Sequence, residues 1–261
     1  MDLQGQWALV TGASSGIGVD ISRELASRGM NLLLVARRQE RLDQLAKELR
    51  RDHGVQAETD ACDLQEDGAV AALFERTVAR GHDIAVLVNS AGFGLHGSFI
   101  DHEIEHLQAM IRLNVVALTE LTHVFARSMA ERGGGHILQV SSIAGVNPLP
   151  SYATYAATKA YVLSLSGAIA HELGERNVSI TALLPGVTRT EFFYISGQKP
   201  TTYSRVFGMS PSDVARTGVK AMLAERHYAI SGWRNWFTIT MAAIFPRHVR
   251  AWLTWQLNSH W

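Results

Sequence analysis

Short apolar runs without alternation recur along this chain, and each is followed by a longer stretch whose apolar positions return every three or four residues. The runs at 7–11, 31–36, 55–60, 84–89, 136–141, 179–184 and 228–231 predict strands. The stretches at 15–28, 38–52, 66–80, 103–132, 152–176 and 211–225 predict helices. Asn31-Leu-Leu-Leu-Val-Ala36 is apolar throughout, as a parallel strand covered on both faces requires. Strand–helix alternation of this kind predicts right-handed crossovers and a seven-stranded parallel, doubly wound α/β sheet. Ligands of such sheets bind beyond the carboxyl ends of the strands. Residues 1–232 read as one domain and 233–261 as a Trp-rich helical extension. Between them, 190–210 is broken by Gly197, Pro200, Gly208 and Pro211, and predicts a flap over the site.

The first predicted strand runs directly into Thr11-Gly-Ala-Ser-Ser-Gly-Ile-Gly18 and then into a helix. A strand, a glycine-rich turn and a helix N-terminus together make an anion site, because free N–H groups and the helix dipole both favour negative charge there. Gly12 permits the sharp turn, Gly16 lets a pyrophosphate approach the backbone, and Gly18 permits close helix–strand packing. Gly12, Ser14, Ser15, Gly16, Ile17 and Gly18 are therefore the expected phosphate-turn contacts of a bound dinucleotide in a Rossmann-type domain.

Sites that take NAD place an acidic residue about 20 positions beyond the glycines, at the end of the second strand. Here that strand ends at Ala36 and is followed by Arg37 and Arg38. Two cations at a helix start oppose its dipole by roughly 0.3–1 kcal/mol each. A 2′-phosphate would reverse that penalty, so NADP(H) is the expected cofactor. Asp63 is a candidate adenine contact after the third strand. The small residues of Asn89-Ser-Ala-Gly92 would let a sugar lie against the backbone through Asn89, Ala91 and Gly92.

Charge and composition narrow the partners. The 261 residues carry 24 basic and 24 acidic groups, so no net field recruits nucleic acid. One cysteine, Cys62, excludes an internal disulfide and fits a reducing compartment. The polar start Met1-Asp2-Leu3-Gln4 has no leader pattern, and no run of 18 apolar residues occurs, so a cytoplasmic location is expected.

Tyr155 and Lys159 lie four residues apart in a predicted helix, a spacing that puts both on one face. A phenol ionises near pH 10, and bringing it down by about three units needs roughly 4 kcal/mol from a nearby cation. Tyr155 is thus a candidate general acid in reduction and base in oxidation, with Lys159 expected to lower its pKa. Ser142 follows the fifth strand at its carboxyl end, where its hydroxyl would donate to a developing alkoxide. Asn114, in the preceding long helix, would hold a water beside Lys159.

These residues, with Leu113-Asn114-Val115, Ser141-Ser142, Ala144-Gly145 and Pro185-Gly-Val-Thr-Arg-Thr190, resemble the short-chain dehydrogenase/reductase family over about residues 5–231. The resemblance implies a catalytic tetrad of Asn114, Ser142, Tyr155 and Lys159. It also implies cofactor contacts from Arg37, Tyr155, Lys159 and Thr190, with Leu64, Pro185, Gly186 and Thr188 beside them. Ser90 departs from the usual second Asn of the fourth-strand motif. Tyr152 lacks a lysine four residues on, since Ala156 stands there, and is expected to line the substrate pocket. The implied activity is NADPH-dependent reduction of a ketone or aldehyde, reversible from the alcohol, in a homodimer or homotetramer. A lipophilic substrate is suggested by Phe93, Leu95, Phe99, Ile143, Leu149, Phe192, Phe193, Tyr203 and Phe207 near strand ends and the flap. The alternative is a non-catalytic NADP(H)-binding redox sensor.

Two features fall outside that reading. His102-Glu-Ile-Glu-His106 matches a zinc-helix pattern by letter, but has no evident third ligand, and no metal is expected. The extension carries Trp233, Trp236, Phe237, Thr240, Met241 and Ile244 at helical spacing, then Pro246, then Val249, Trp252, Leu253 and Leu257. A helical hairpin is expected, packed on the domain, a sister subunit or the cleft. Peripheral membrane contact through 233–257 is the alternative.

Overall fold

The computed structural model describes residues 3–198, 208–243, 245–246, 249–251 and 256. The seven apolar runs form β1 (Trp7–Thr11), β2 (Asn31–Ala36), β3 (Ala57–Ala61), β4 (Ile84–Asn89), β5 (Gly135–Val140), β6 (Val178–Leu184) and β7 (Tyr228–Ile230). All pair in parallel in the order β3-β2-β1-β4-β5-β6-β7. The winding direction reverses between β1 and β4, which opens a crevice at their carboxyl ends.

Alternate residues of the strands feed two apolar layers. Ala8, Val10, Leu32, Leu34, Val86 and Val88 face helices α1 (Gly16–Ala26), α2 (Gln39–His53) and α8 (Pro211–Leu223). Leu9, Leu33, Val35, Leu87 and Ile137 face the opposite layer, with α3 (Ala69–Ala79), α5 (Leu118–Glu131) and α6 (Ala153–Gly174). Helix α2 shows how the periodic stretches pack, burying Leu42, Leu45, Ala46 and Leu49 along one stripe. Each such leucine contributes about 1.5–3 kcal/mol.

Strand β3 starts two residues later than its apolar pattern predicts. The Gln56 N–H goes to the Asn31 side chain at 2.9 Å rather than to a backbone carbonyl of β2, so the regular ladder begins at Ala57. Between β4 and β5 the chain forms α4 (Ile104–Ile111), a π-turn over Arg112–Ala117, and α5. The whole run Ile104–Glu131 is long and apolar enough to cross a membrane by length and composition. Leu121, Phe125 and Met129 lie in the core layer against the sheet, while Leu107 and Met110 are buried where α4 packs on α6.

Glu103 is the N-cap of α4, so His102 precedes the helix and shares no helical face with His106. That extended residue breaks the spacing on which the zinc pattern depends. Burial pushes the Cys62 thiol up, which makes it a poor nucleophile. A cavity of about 180 Å³ lined by Phe74, Thr77, His82, Phe125 and Arg132 lies at the amino ends of the strands, far from the crevice.

Beyond β7 the chain forms α9 (Trp233–Ala243). Asn235 anchors it, donating to the Ser231 carbonyl at 2.6 Å and lying against Gly186, where a Cβ would collide with it. Trp233, Trp236 and Phe237 are 74%, 57% and 54% exposed, so this aromatic face is not laid on its own domain. Of the second stripe, Trp252, Leu253 and Leu257 lie outside the described residues, as do Ile244 and, in the flap, Tyr203 and Phe207.

Candidate active site

At the crevice, Thr11 ends β1 and splints it to β4. Its hydroxyl donates to the Val88 carbonyl at 3.2 Å and accepts the Ser90 and Ala91 N–H groups, each at 3.1 Å. The glycine turn then passes so close to β4 that a Cβ on Gly12 would lie 2.9 Å from Ala91 backbone atoms. A Cβ on Gly18 would lie 2.5 Å from the Gly12 carbonyl oxygen, so the turn folds onto its own helix. Gly16 adopts φ +59°, and a side chain there would meet Thr190 at 3.3 Å. Ser15 caps α1 in an extended conformation with no side-chain cap bond. The first N–H groups of α1 therefore face the crevice, and a glycine-walled trench runs from Ser14 past Thr190. A dinucleotide fits this cradle.

One end of the trench is basic. Arg38 reaches the glycine turn through Ser14, with Nε 3.3 Å and Nη2 3.2 Å from Oγ and Nη2 3.2 Å from the carbonyl oxygen. Arg37 projects outward, 3.7 Å from Asp63. Asp63 also accepts the Gln65 N–H at 3.0 Å, which closes the turn after β3. Leu64 is buried in the core layer, and Ile17 packs against the opposite one. The Asn89 amide turns inward and donates to Thr122 and Gln139, each at 3.1 Å, while the Ala91 backbone lies against Gly12.

The other end holds the candidate chemistry. Ser141 donates from Oγ to the Lys159 carbonyl at 2.9 Å, and a Cβ on Gly145 would lie 2.6 Å from the Lys159 backbone. These contacts press α6 against the end of β5. Lys159 is 6% exposed and donates from Nζ to the Val140 carbonyl at 2.8 Å. Burial pushes its pKa down to about 8. Its ammonium lies 5.8 Å from the centre of the Tyr155 ring. Ser142 accepts the Ala144 N–H at 3.1 Å, which leaves its own proton to donate.

Tyr155 departs from expectation. Burial pushes its pKa up to about 12, and the hydrogen bond with Ser142 pulls only partway back. In the chain by itself desolvation is the largest influence on the phenol, and Lys159 directs its ammonium at the Val140 carbonyl. The phenol therefore keeps its proton at neutral pH.

Asn114 is fully buried in the π-turn. Its Oδ1 accepts the Phe93 N–H at 3.2 Å, and its Nδ2 donates to the Phe93 carbonyl at 2.9 Å and to Thr158 Oγ1 at 3.1 Å. A Cβ on Gly92 would lie 2.9 Å from Asn114 Oδ1 and 3.5 Å from Lys159 Nζ, so both side chains border one point. Beyond β6, Pro185 accepts the Ile143 N–H at 3.0 Å, and Thr188 donates to the Gly186 carbonyl at 2.9 Å. Thr190 accepts the Phe192 N–H at 3.2 Å, which starts the short helix α7 (Phe192–Ile195).

Helix α7 carries a roof. Phe192 lies 5.2 Å from Tyr155 between ring centres, and Gly94 leaves room beneath both rings. Tyr152 is buried, with its ring 5.9 Å from Tyr155 and 6.3 Å from Phe192. Its hydroxyl donates to Gln198 Oε1 at 2.7 Å and lies 3.0 Å from Ser196 Oγ, so it ties down the segment that follows α7. His96 packs on Tyr152 at 5.0 Å, and burial lowers its pKa. Phe99, read from the sequence as pocket lining, is 59% exposed. Sequence reasoning missed Glu191, Thr158, Ser196 and Gln198, whose partners lie far away along the chain and leave no local pattern.

The profile of the short chain dehydrogenase family matches residues 6–199. A very-long-chain 3-oxoacyl-CoA reductase of Podospora anserina is 36% identical over 192 residues, which cover 72% of this chain and 56% of that protein. A 7beta-hydroxysteroid dehydrogenase of Clostridium sardiniense is 32% identical over 219 residues, covering 84% and 82%. Among solved structures, a short-chain dehydrogenase from Sphingobium yanoikuyae in complex with NADPH superposes with a TM-score of 0.82 at 32% identity, covering 91% of this chain and 93% of that one.

Proposed function

The chain belongs to the short-chain dehydrogenase family and is an oxidoreductase, and from that premise we propose that it reduces a lipophilic ketone or aldehyde with NADPH. The observation that carries the reading is the cluster of Ser142, Tyr155 and Lys159 at the carboxyl end of β5, beside the glycine-walled trench. The glycine turn would hold a reduced nicotinamide dinucleotide, which when bound would supply the hydride for the carbonyl carbon. Tyr155, protonated at neutral pH, donates its proton to the carbonyl oxygen as charge develops there. Ser142 donates a second hydrogen bond to the same oxygen. Lys159, charged below about pH 8, offsets the negative charge left on the phenol oxygen. Asn114 holds the Phe93 backbone in place beside Gly92. In the reverse direction Tyr155 would take the hydroxyl proton as hydride leaves the alcohol carbon for a bound oxidised nicotinamide.

NADP(H) rather than NAD(H) is supported by Arg37 and Arg38 standing where a carboxylate would select an unmodified ribose. The neighbour in complex with NADPH points the same way. A lipophilic substrate is supported by the roof of Phe192 and Tyr152 and by relatives named for steroid and very-long-chain acyl substrates. We place the protein in the cytoplasm as a homodimer or homotetramer; a monomeric mass by light scattering would overturn that assembly.

The test is to incubate the protein with NADPH and a panel of steroid, acyl and aryl carbonyls and to follow the loss of reduced-nicotinamide absorbance. Turnover is expected, and Tyr155→Phe is expected to lower it about 10²–10⁴-fold with NADPH affinity retained. Tight NADPH binding without turnover across the panel would overturn the enzymatic reading.

A further inference from the structure

Glu191 follows Thr190 at the edge of the trench and reaches its basic end. Its two carboxylate oxygens lie 2.9 and 3.0 Å from Arg41 Nη1, and Oε2 lies 3.3 Å from Arg38 Nη1. Arg38 joins this pair to the glycine turn through Ser14. Arg37 stands beside them with its 3.7 Å partner Asp63. Three guanidiniums thus share two carboxylates at the carboxyl end of β2.

A guanidinium offers its donors in a fixed planar fork, so a carboxylate that engages the fork and a phosphate that needs it compete for the same N–H groups. Hydrogen bonds from Arg41 and Arg38 hold the Glu191 carboxyl below the usual range, which keeps it anionic through the physiological interval. The side chain is 43% exposed and lies outside both apolar layers, so packing does not require it there.

Resting on the NADP(H) reading above, we propose that Glu191 is a cofactor-specificity residue that competes with the ribose 2′-phosphate for Arg38 and Arg41. Its carboxylate lowers the positive charge available to that phosphate and repels it directly. The site therefore discriminates between phosphorylated and unmodified ribose less sharply than its three arginines would allow. Removing the negative charge strengthens binding of a 2′-phosphorylated nucleotide and leaves one without that group unaffected. A residue that merely fastened the loop would alter both nucleotides alike.

The experiment is isothermal titration of the full chain and of Glu191→Gln with 2′,5′-ADP and with 5′-ADP. The variant is expected to bind 2′,5′-ADP about three- to tenfold more tightly, the range set by two exposed ion pairs. Its affinity for 5′-ADP is expected to stay within about twofold, and the gain to shrink at high salt. Glu191→Lys is expected to shift the preference further in the same direction. Unchanged or weakened 2′,5′-ADP binding by Glu191→Gln, in a wild type that still prefers 2′,5′-ADP, overturns the role of Glu191 and leaves the cofactor reading standing. A wild type that binds both nucleotides equally overturns the cofactor reading, and this inference with it.

Discussion

Phe192 lies across Tyr155, with ring centres 5.2 Å apart and planes tilted by 51°. The contact joins α7 to the proposed proton donor and covers one side of its ring. Burial is the largest cause of the raised Tyr155 pKa, so Phe192→Ala is expected to lower that pKa from about 12 toward the ordinary value. Ultraviolet titration of Phe192→Ala against Phe192→Ala/Tyr155→Phe isolates the one phenol. An unchanged midpoint would mean that the remaining walls alone desolvate it.

Lys159 sets a second pH dependence, with a definite sign. Its folded pKa of about 8 lies below the unfolded value, so the ammonium is present below that pH and lost above it. Carbonyl reduction is expected to decline as pH rises through about 8, and Lys159→Met is expected to be slow and to lack that limb.

The same shift bears on stability. Between about pH 8 and 10.5 the unfolded chain binds a proton that the folded chain does not, so stability climbs with pH across that window. Below it, the buried charge costs about 3 kcal/mol. Lys159→Met is expected to recover this at pH 7, less about 1 kcal/mol for the lost bond to Val140. Urea unfolding at pH 7 and 10 measures the gain, which should fade at the higher pH.

Ser142→Ala removes both a proposed donor to the substrate oxygen and the acceptor for Ala144 N–H. A fall of about 10²–10³ in kcat is expected, the loss typical of one oxyanion donor. Stability should fall by about 1 kcal/mol. Steady-state kinetics with thermal unfolding separates the two losses, and an unchanged kcat would remove Ser142 from the chemistry.

Glycines of the same helical class are expected to respond in opposite directions. Gly18→Ala places a Cβ 2.5 Å from the Gly12 carbonyl oxygen, which must distort the phosphate turn and abolish nucleotide binding. Gly174, at the end of α6, has nothing within 4 Å of an added Cβ, and Gly174→Ala is expected to gain up to about 1 kcal/mol. Calorimetric titration with NADPH and thermal unfolding read both variants.

Much of this was legible in the sequence because it rests on local pattern. Strands 31–36 and 84–89 announce themselves by uninterrupted apolar runs, and Tyr155 and Lys159 by a four-residue spacing on one helix. Strand β3 was blurred because it carries Glu58 and Asp60, and Asp60 is buried only by virtue of Arg76 and Arg80 from the next helix and its exit. The pairing of Glu191 with Arg41 spans 150 positions and has no counterpart in periodicity. Nor could spacing reveal the raised Tyr155 pKa, since burial, its largest cause, is set by residues brought together only in the fold. The aromatic stripe of α9 showed which residues share a face, and it took the fold to show that Trp233, Trp236 and Phe237 are not buried by their own chain.

The π-turn at Arg112–Ala117 gives the long helix two halves that share a direction but not a phase. One surplus residue amounts to about 100° of rotation. Deleting one residue of the turn other than Asn114 is expected to merge the halves into a continuous ladder and to swing Asn114 away from the point it shares with Lys159. Along this helix the spelling of the surface matters less than the count. The placement of Asn114 is timed by the number of residues before it, and a one-letter deletion in the turn would put it out of step.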